Sequence, residues 1–198
     1  MNDDLVALIN ALQSLRVLVV GDVILDEYLI GSASRLSREA PIPVLEFEER
    51  RLIPGGAANP AANIAALGST AIQLGVIGAD ADATALREVL QARGIDTSAL
   101  VVDGGRPTTV KTRVMAQMGL RFPQQVARID RLSRSPLPPA VEQQVRLHLH
   151  KQMPTVQAVL FSDYHGGLLS GELVEAGRQQ ARQAKALLTA DAQGELQK

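Results

Sequence analysis

The sequence predicts an α/β fold, a parallel sheet with helices carrying a smaller β-rich appendage, on three observations. Short apolar runs that end in glycine alternate with helical stretches. The helical stretches are punctuated by glycine and proline at their ends. From Thr108 the pattern changes to two extended segments separated by a turn that holds Gly119 and Pro123.

Residues 15–20 (Leu-Arg-Val-Leu-Val-Val) form a β-branched, nearly continuous apolar run that closes on Gly21-Asp22. A buried strand of a parallel sheet reads this way, and ligands bind at the carboxyl ends of such strands. Residues 43–48 predict a second strand, in which Glu46-Phe47-Glu48 alternates and so implies one wet face. Asn59 is placed to cap a helix with Pro60 at its first position and Gly68 at its end. Between them, residues 61–67 are slim enough to pack closely on a sheet. Residues 71–77 predict a strand ending at Gly78, and residues 84–93 a helix stopped by Gly94.

Residues 108–117 and 124–130 then predict an antiparallel ribbon, which needs one partly buried face. Residues 137–153 are helical with Pro138 and Pro139 near the start, and 156–161 form a strand leading into Ser162-Asp163-Tyr164. Residues 172–185 predict a sheet-covering helix, and 187–190 begin one more strand. There is no internal repeat, low-complexity tract or long linker.

Composition narrows the function classes. Hydrophobic residues make up 46% of the 198, enough for a sizeable core, and 21% are charged. The net charge is −1 and aromatics are 3%, so the basic stripe and stacking platforms of a nucleic-acid binder are missing. With no cysteine, disulfides, thiolate metal sites and a thiol nucleophile are excluded. No apolar run approaches the ~20 residues of a membrane span, and the start does not read as a signal peptide. A cytoplasmic protein is expected. His148 and His150 are two apart on a helix and diverge, and Ser162 has no His–Asp relay beside it, so neither a metal site nor a hydrolase is expected.

Two clusters carry the chemistry. Asp22 and Asp26 stand four apart just beyond the first strand, where carboxylates accept hydrogen bonds from the hydroxyls of a polyol. Solvating a loop, or capping a helix that begins there, explains them equally well. Gly55-Gly56 followed by Ala57-Ala58 lets backbone approach a ligand closely, and Asn59 either caps its helix or presents an amide to a hydroxyl. A plain turn before a well-packed helix is the competing explanation.

The order of blocks is more specific than any one of them. Val19-Val20-Gly21-Asp22-Val23-Ile24-Leu25-Asp26-Glu27-Tyr28 is followed by Ser34-Arg35-Leu36-Ser37-Arg38-Glu39-Ala40-Pro41-Ile42-Pro43-Val44. Then come Pro54-Gly55-Gly56-Ala57-Ala58-Asn59, Asn63-Ile64-Ala65-Ala66-Leu67-Gly68 and Thr108-Thr109-Val110-Lys111-Thr112-Arg113. Gln125-Val126-Ala127-Arg128-Ile129-Asp130-Arg131 and Ser162-Asp163-Tyr164 complete the set. So ordered, the chain resembles the ribokinase-like (PfkB) carbohydrate kinases, and among them the heptose-7-phosphate kinase domain of ADP-heptose synthases.

The resemblance implies a doubly wound α/β domain over residues 1–198, truncated relative to the family, with a small β-sheet lid from about 28–48 and 108–130. It implies that Asp22 and Asn59, with Asp26 less firmly, hold sugar hydroxyls, and that Gly55 and Gly56 admit the ligand to the backbone. Lys111, Arg113 and Arg128 fall in the lid blocks that face the acceptor, where cations suit a phosphate already on the sugar. Arg35 and Arg38 are weaker members of that set. A complete family member uses ATP and Mg2+, and the lid often pairs with that of a second subunit, so a homodimer is implied.

The sequence departs from the family pattern twice. Gly166 stands in Ser162-Asp163-Tyr164-His165-Gly166-Gly167 where the heptose kinases carry a lysine. The Gly-Ala-Gly-Asp segment that supplies phosphate-cradling amides and the general base does not occur; Gly78-Ala79-Asp80 lacks the second glycine and follows an early strand. Asp191 and Lys198 are expected near the start of the missing lobe. Two classes follow: the sugar-binding portion of an ATP-dependent sugar kinase, inactive alone, or a non-catalytic module that binds a sugar phosphate or dimerises through its lid.

Overall fold

In the computed structural model, which describes residues 3–119 and 122–192, strand β1 (Arg16–Gly21) lies at the centre of a five-stranded parallel sheet. Its side chains alternate between two cores. Leu18 and Val20 face one, Val19 the other, and all three are fully buried. Burial on both faces is why the run is continuously apolar rather than alternating. β4 (Thr70–Ile77) and β8 (Ala158–Asp163) flank β1, and β5 (Leu100–Val102) and β9 (Leu187–Ala192) form the edges.

Helices α2 (Ala58–Ala66) and α3 (Ala81–Gln91) cover one face of this sheet, with Ala58, Ala61, Leu86 and Leu90 fully buried. α4 (Pro139–Gln152) and α5 (Gly171–Ala184) cover the other through Val145, Leu149 and Leu173. Helices on both faces of a parallel sheet make the expected doubly wound, ribokinase-like α/β fold. Helix α1 (Asp3–Leu12) precedes β1.

A second, four-stranded sheet is built from β2 (Val23–Leu36), β3 (Pro43–Gly56), β6 (Val110–Gln117) and β7 (Gln124–Arg131), in the order β3-β2-β6-β7. β2 runs antiparallel to β3 and parallel to β6, and β6–β7 is the expected antiparallel ribbon. Val23, Ile24 and Leu25 are buried at the base, while the far ends of β2 and β3 are exposed. The sheet is thus anchored in the main body at one end and projects from it as a lid.

Several expectations are corrected. No helix begins at residues 22–26: the chain turns straight from β1 into β2, held by Leu25 N–H donating to Thr109 O at 2.9 Å and Ala57 N–H to Asp22 O at 2.9 Å. The strand expected over 43–48 runs on to Gly56 because β2 pairs with it throughout. Asn59 does not cap α2. Ala57 holds the cap position without a side-chain hydrogen bond, and Asn59 and Pro60 are the second and third helical residues, where proline is tolerated. α3 begins three residues early because Asp80 caps it, accepting from Ala83 N–H at 2.9 Å. α1 and β5 lie outside the elements that the sequence pattern predicts. Leu120 and Arg121 of the ribbon turn, and Lys198, lie outside the described residues.

Candidate functional site

The carboxyl ends of β1 and β8 meet the base of the lid, and a cleft of about 340 Å³ opens there. Its lining includes Asp26, Gly55, Gly56, Asn59, Lys111 and Arg113, joined by Tyr164 from the end of β8. Backbone geometry explains the glycines. Gly56 has φ +55°, a conformation that side chains disfavour. At Gly55 a Cβ would stand 2.5 Å from Asp26 Oδ2. The pair thereby lets β3 pass against β2 and leaves its backbone open to the cleft.

Asp26 is paired across the lid. Arg113 Nη1 lies 2.6 Å from its Oδ1, and the guanidinium sits 5.3 Å from the Tyr28 ring centre. Burial works against the Arg113 charge, but the Asp26 carboxylate outweighs it and raises the guanidinium pKa above its ordinary value. Next along the same face, Lys111 Nζ lies 5.9 Å from the centre of the Tyr164 ring. The Tyr164 phenol is pushed up by burial and then by the charges of Asp191 and Asp26, so at neutral pH it stays a hydroxyl able to donate.

Asp22 sits differently from its sequence neighbour. Its Oδ2 accepts from Tyr164 N–H at 3.0 Å and Gly166 N–H at 2.8 Å, and its Oδ1 from Leu168 N–H at 3.3 Å. Both oxygens are engaged in tying the segment after β8 to the end of β1. A Cβ at position 166 would approach Oδ1 to 2.6 Å, which accounts for glycine there. Asp22 lines an adjoining cleft of about 190 Å³ that shares Lys111 and Tyr164 with the first.

Arg128 lies opposite Arg113 in the ribbon but lines neither cleft; its guanidinium holds Asp130, Nε to Oδ1 at 2.8 Å and Nη2 to Oδ2 at 3.0 Å. Arg35 and Arg38 are exposed on the lid, away from both clefts. Asp80 is a structural carboxylate, capping α3 and accepting from Thr108 N–H at 2.8 Å and Thr108 Oγ1–H at 2.7 Å. Burial raises its pKa, but those hydrogen bonds and the charge of Arg131 prevail and leave it below the usual carboxylate value.

Sequence reasoning did not single out Tyr28 or Tyr164 as site residues, although the motif blocks contain both. It also passed over Arg106 and Arg134, which line the smaller cleft. No motif flags them, because the path of the chain after β7 brings them there.

A doubly wound domain with a β-sheet lid over such a cleft defines the class: the chain belongs to the pfkB family of carbohydrate kinases, whose family model matches residues 14–191. More particularly, it is 38% identical over 179 residues to the bifunctional protein HldE of Helicobacter pylori, covering 90% of this chain and 38% of that protein. The HldE of Geobacter metallireducens is 37% identical over 182 residues, covering 92% of the chain and 36% of that protein. The chain therefore spans well under half the length of these curated relatives. Solved structures of similar fold include a putative phosphofructokinase from Staphylococcus aureus (TM-score 0.68, 14% identity, 91% of this chain and 54% of that one). Arabidopsis thaliana ribokinase complexed with ribose and ATP is another (TM-score 0.58, 15% identity, 92% and 55%). The heptose-kinase resemblance drawn from the motif blocks agrees with the HldE relatives.

Proposed function

We propose that these residues form the acceptor side of an ATP-dependent sugar kinase and bind a sugar phosphate such as heptose 7-phosphate. The observation that carries the reading is the convergence of Asp26, Gly55, Gly56, Asn59 and Lys111 on one cleft beneath the lid. Asp26 accepts hydrogen bonds from sugar hydroxyls while its ion pair with Arg113 holds it aimed. Asn59 offers an amide from the exposed first turn of α2, and the two glycines let the ring meet the backbone. Asp22 acts by holding Tyr164 and the following loop against the cleft.

ATP and Mg2+ supply the phosphoryl group and its charge neutralisation in the complete family pattern. Among the described residues no three carboxylate or imidazole side chains come together to hold a metal, and the sequence has no Gly-Ala-Gly-Asp segment. The reading includes a cytoplasmic location, where nucleotides and sugar phosphates occur. It also includes a homodimer through the lid, supported by the exposed apolar side chains of Leu36, Ile42, Phe47 and Ile129 on that sheet and its β2–β3 turn.

Calorimetric titration with heptose 7-phosphate tests the proposal. Binding is expected, and Asn59→Ala is expected to weaken it severalfold while leaving stability intact, because Asn59 is exposed. An Asn59→Ala variant that binds like the wild type, or a wild type that binds neither heptose nor its phosphate, overturns the reading. ATP turnover by the chain alone is expected to be undetectable; sugar-dependent ADP release would show otherwise. Light scattering is expected to show a dimer that Phe47→Glu disperses.

A further inference from the structure

We infer that the smaller cleft beside the sugar cleft seats the phosphate of the acceptor, held by Lys111 and Arg134. The inference rests on the sugar-phosphate reading above; of the cations expected for that role it keeps Lys111, and it adds Arg134. Arg113 is paired with Asp26 and Arg128 with Asp130, so the charge of each is already offset by a carboxylate. Arg131 is likewise paired with Asp82, and Arg106 with Asp103. The Lys111 ammonium, which only stacks on the Tyr164 ring, and the Arg134 guanidinium make no hydrogen bond or ion pair with any described residue, and both side chains belong to residues lining this cleft. Two uncompensated cations on one concavity favour an anion there.

The carboxylates around the cleft do not cancel these two charges. Asp130 is paired with the Arg128 guanidinium, and Asp22, which keeps its charge, has its oxygens turned to three backbone N–H groups and to neither cation. The cleft is also built rather than incidental. Arg106, whose side chain is 11% exposed, bonds Asp103 Oδ2 through Nε at 2.9 Å, and Asp103 is 8% exposed. Its Nη2 donates to the carbonyls of Ser135 at 3.1 Å and Pro136 at 3.3 Å. That staple fixes the backbone next to Arg134, so the free guanidinium is delivered to the cleft from a pinned segment. A guanidinium grips phosphate oxygens in pairs, and an ammonium adds a point charge. Lys111 and Tyr164 border both clefts, so one ligand can place its ring in the larger and its phosphate in the smaller.

The terminal phosphate of a nucleotide has the same chemistry, so the test separates the two sources. The full chain is titrated with inorganic phosphate, heptose, heptose 7-phosphate and a non-hydrolysable ATP analogue. Inorganic phosphate is expected to shift the Gly166 amide and Arg134 Nε resonances saturably. Arg134→Ala and Lys111→Met are each expected to weaken inorganic phosphate and heptose 7-phosphate at least tenfold. Arg134→Ala should leave heptose itself unchanged. Variants that bind phosphate like the wild type overturn the assignment, as does a loss confined to the ATP analogue. If neither heptose nor heptose 7-phosphate binds the wild type, the acceptor reading fails instead, while the inorganic phosphate titration still decides whether Lys111 and Arg134 form an anion site.

Discussion

Replacing Asp22 by alanine removes one side chain and three hydrogen bonds that join the loop after β8 to the end of β1. Hydrogen bonds to a charged acceptor contribute roughly 1.5–3 kcal/mol each. The three here are unequal. Gly166 is exposed, so water satisfies its N–H once the carboxylate is gone, and the Leu168 contact is long at 3.3 Å. Leu168 is nevertheless 4% exposed, so its N–H is hard to rehydrate, and Tyr164 N–H keeps a strong bond at 3.0 Å. Discounting accordingly, Asp22→Ala is expected to cost about 2–4 kcal/mol, a large part of the roughly 5–15 kcal/mol that holds a domain folded. Asp22→Asn retains one carbonyl oxygen for Tyr164 and Gly166 and is expected to lose about half as much. Urea unfolding followed by circular dichroism measures the loss, and amide exchange at Tyr164 and Leu168 localises it. Heptose phosphate affinity should fall in parallel, because Tyr164 borders both clefts. If Asp22→Ala stays within about 0.5 kcal/mol of the wild type with both amides protected, the carboxylate is not the lock, and a direct role on sugar hydroxyls regains the ground.

Three further outcomes follow from the same geometry. Because Asp80 is held below its ordinary pKa of 3.8, its contribution to stability is full above that value and is lost as the pH falls below it through the folded value. The stability of the wild type should thus fall more steeply than that of Asp80→Asn between about pH 4 and pH 2, and parallel curves would contradict this. Gly177→Val should destabilise by about 1–3 kcal/mol or more, since any Cβ there is driven into the buried Phe161 ring; an unchanged melting temperature would show that α5 can shift away from β8. Arg113→Met strands the Asp26 charge, whose side chain is only 17% exposed; a loss of about 1–2 kcal/mol and weaker sugar binding are expected, and unaltered affinity would remove Arg113 from the site.

These arguments divide the labour of residues that look alike in the sequence. Asp22 and Asp26 are four apart and both acidic, yet one is absorbed by backbone amides and the other faces the cleft with an arginine behind it. Lys111, Arg113 and Arg128 alternate on neighbouring strands of the ribbon, yet only the lysine is left without a carboxylate among the described residues.

What the sequence determined by itself was whatever depends on near neighbours and on period. The continuous apolar run of β1, the slim Ala-rich α2 with Gly68 at its stop, and the paired extended segments of β6 and β7 follow from burial pattern and backbone preference. The order of motif blocks carried the family and the doubly wound α/β architecture for the same reason, since each block is local. Tertiary structure decided the rest. β2 became a fourteen-residue strand because β3 and β6 flank it, where Asp22 and Asp26 alone suited a helix start. The partners of Asp22 lie 142 to 146 residues away, beyond any local pattern. Arg134 carries no motif and reaches the cleft along a segment whose next two carbonyls are held by Arg106. Charge pairing, which sorts bound cations from free ones, depends on distances of a few ångströms between residues distant in the chain, and only the folded chain sets those.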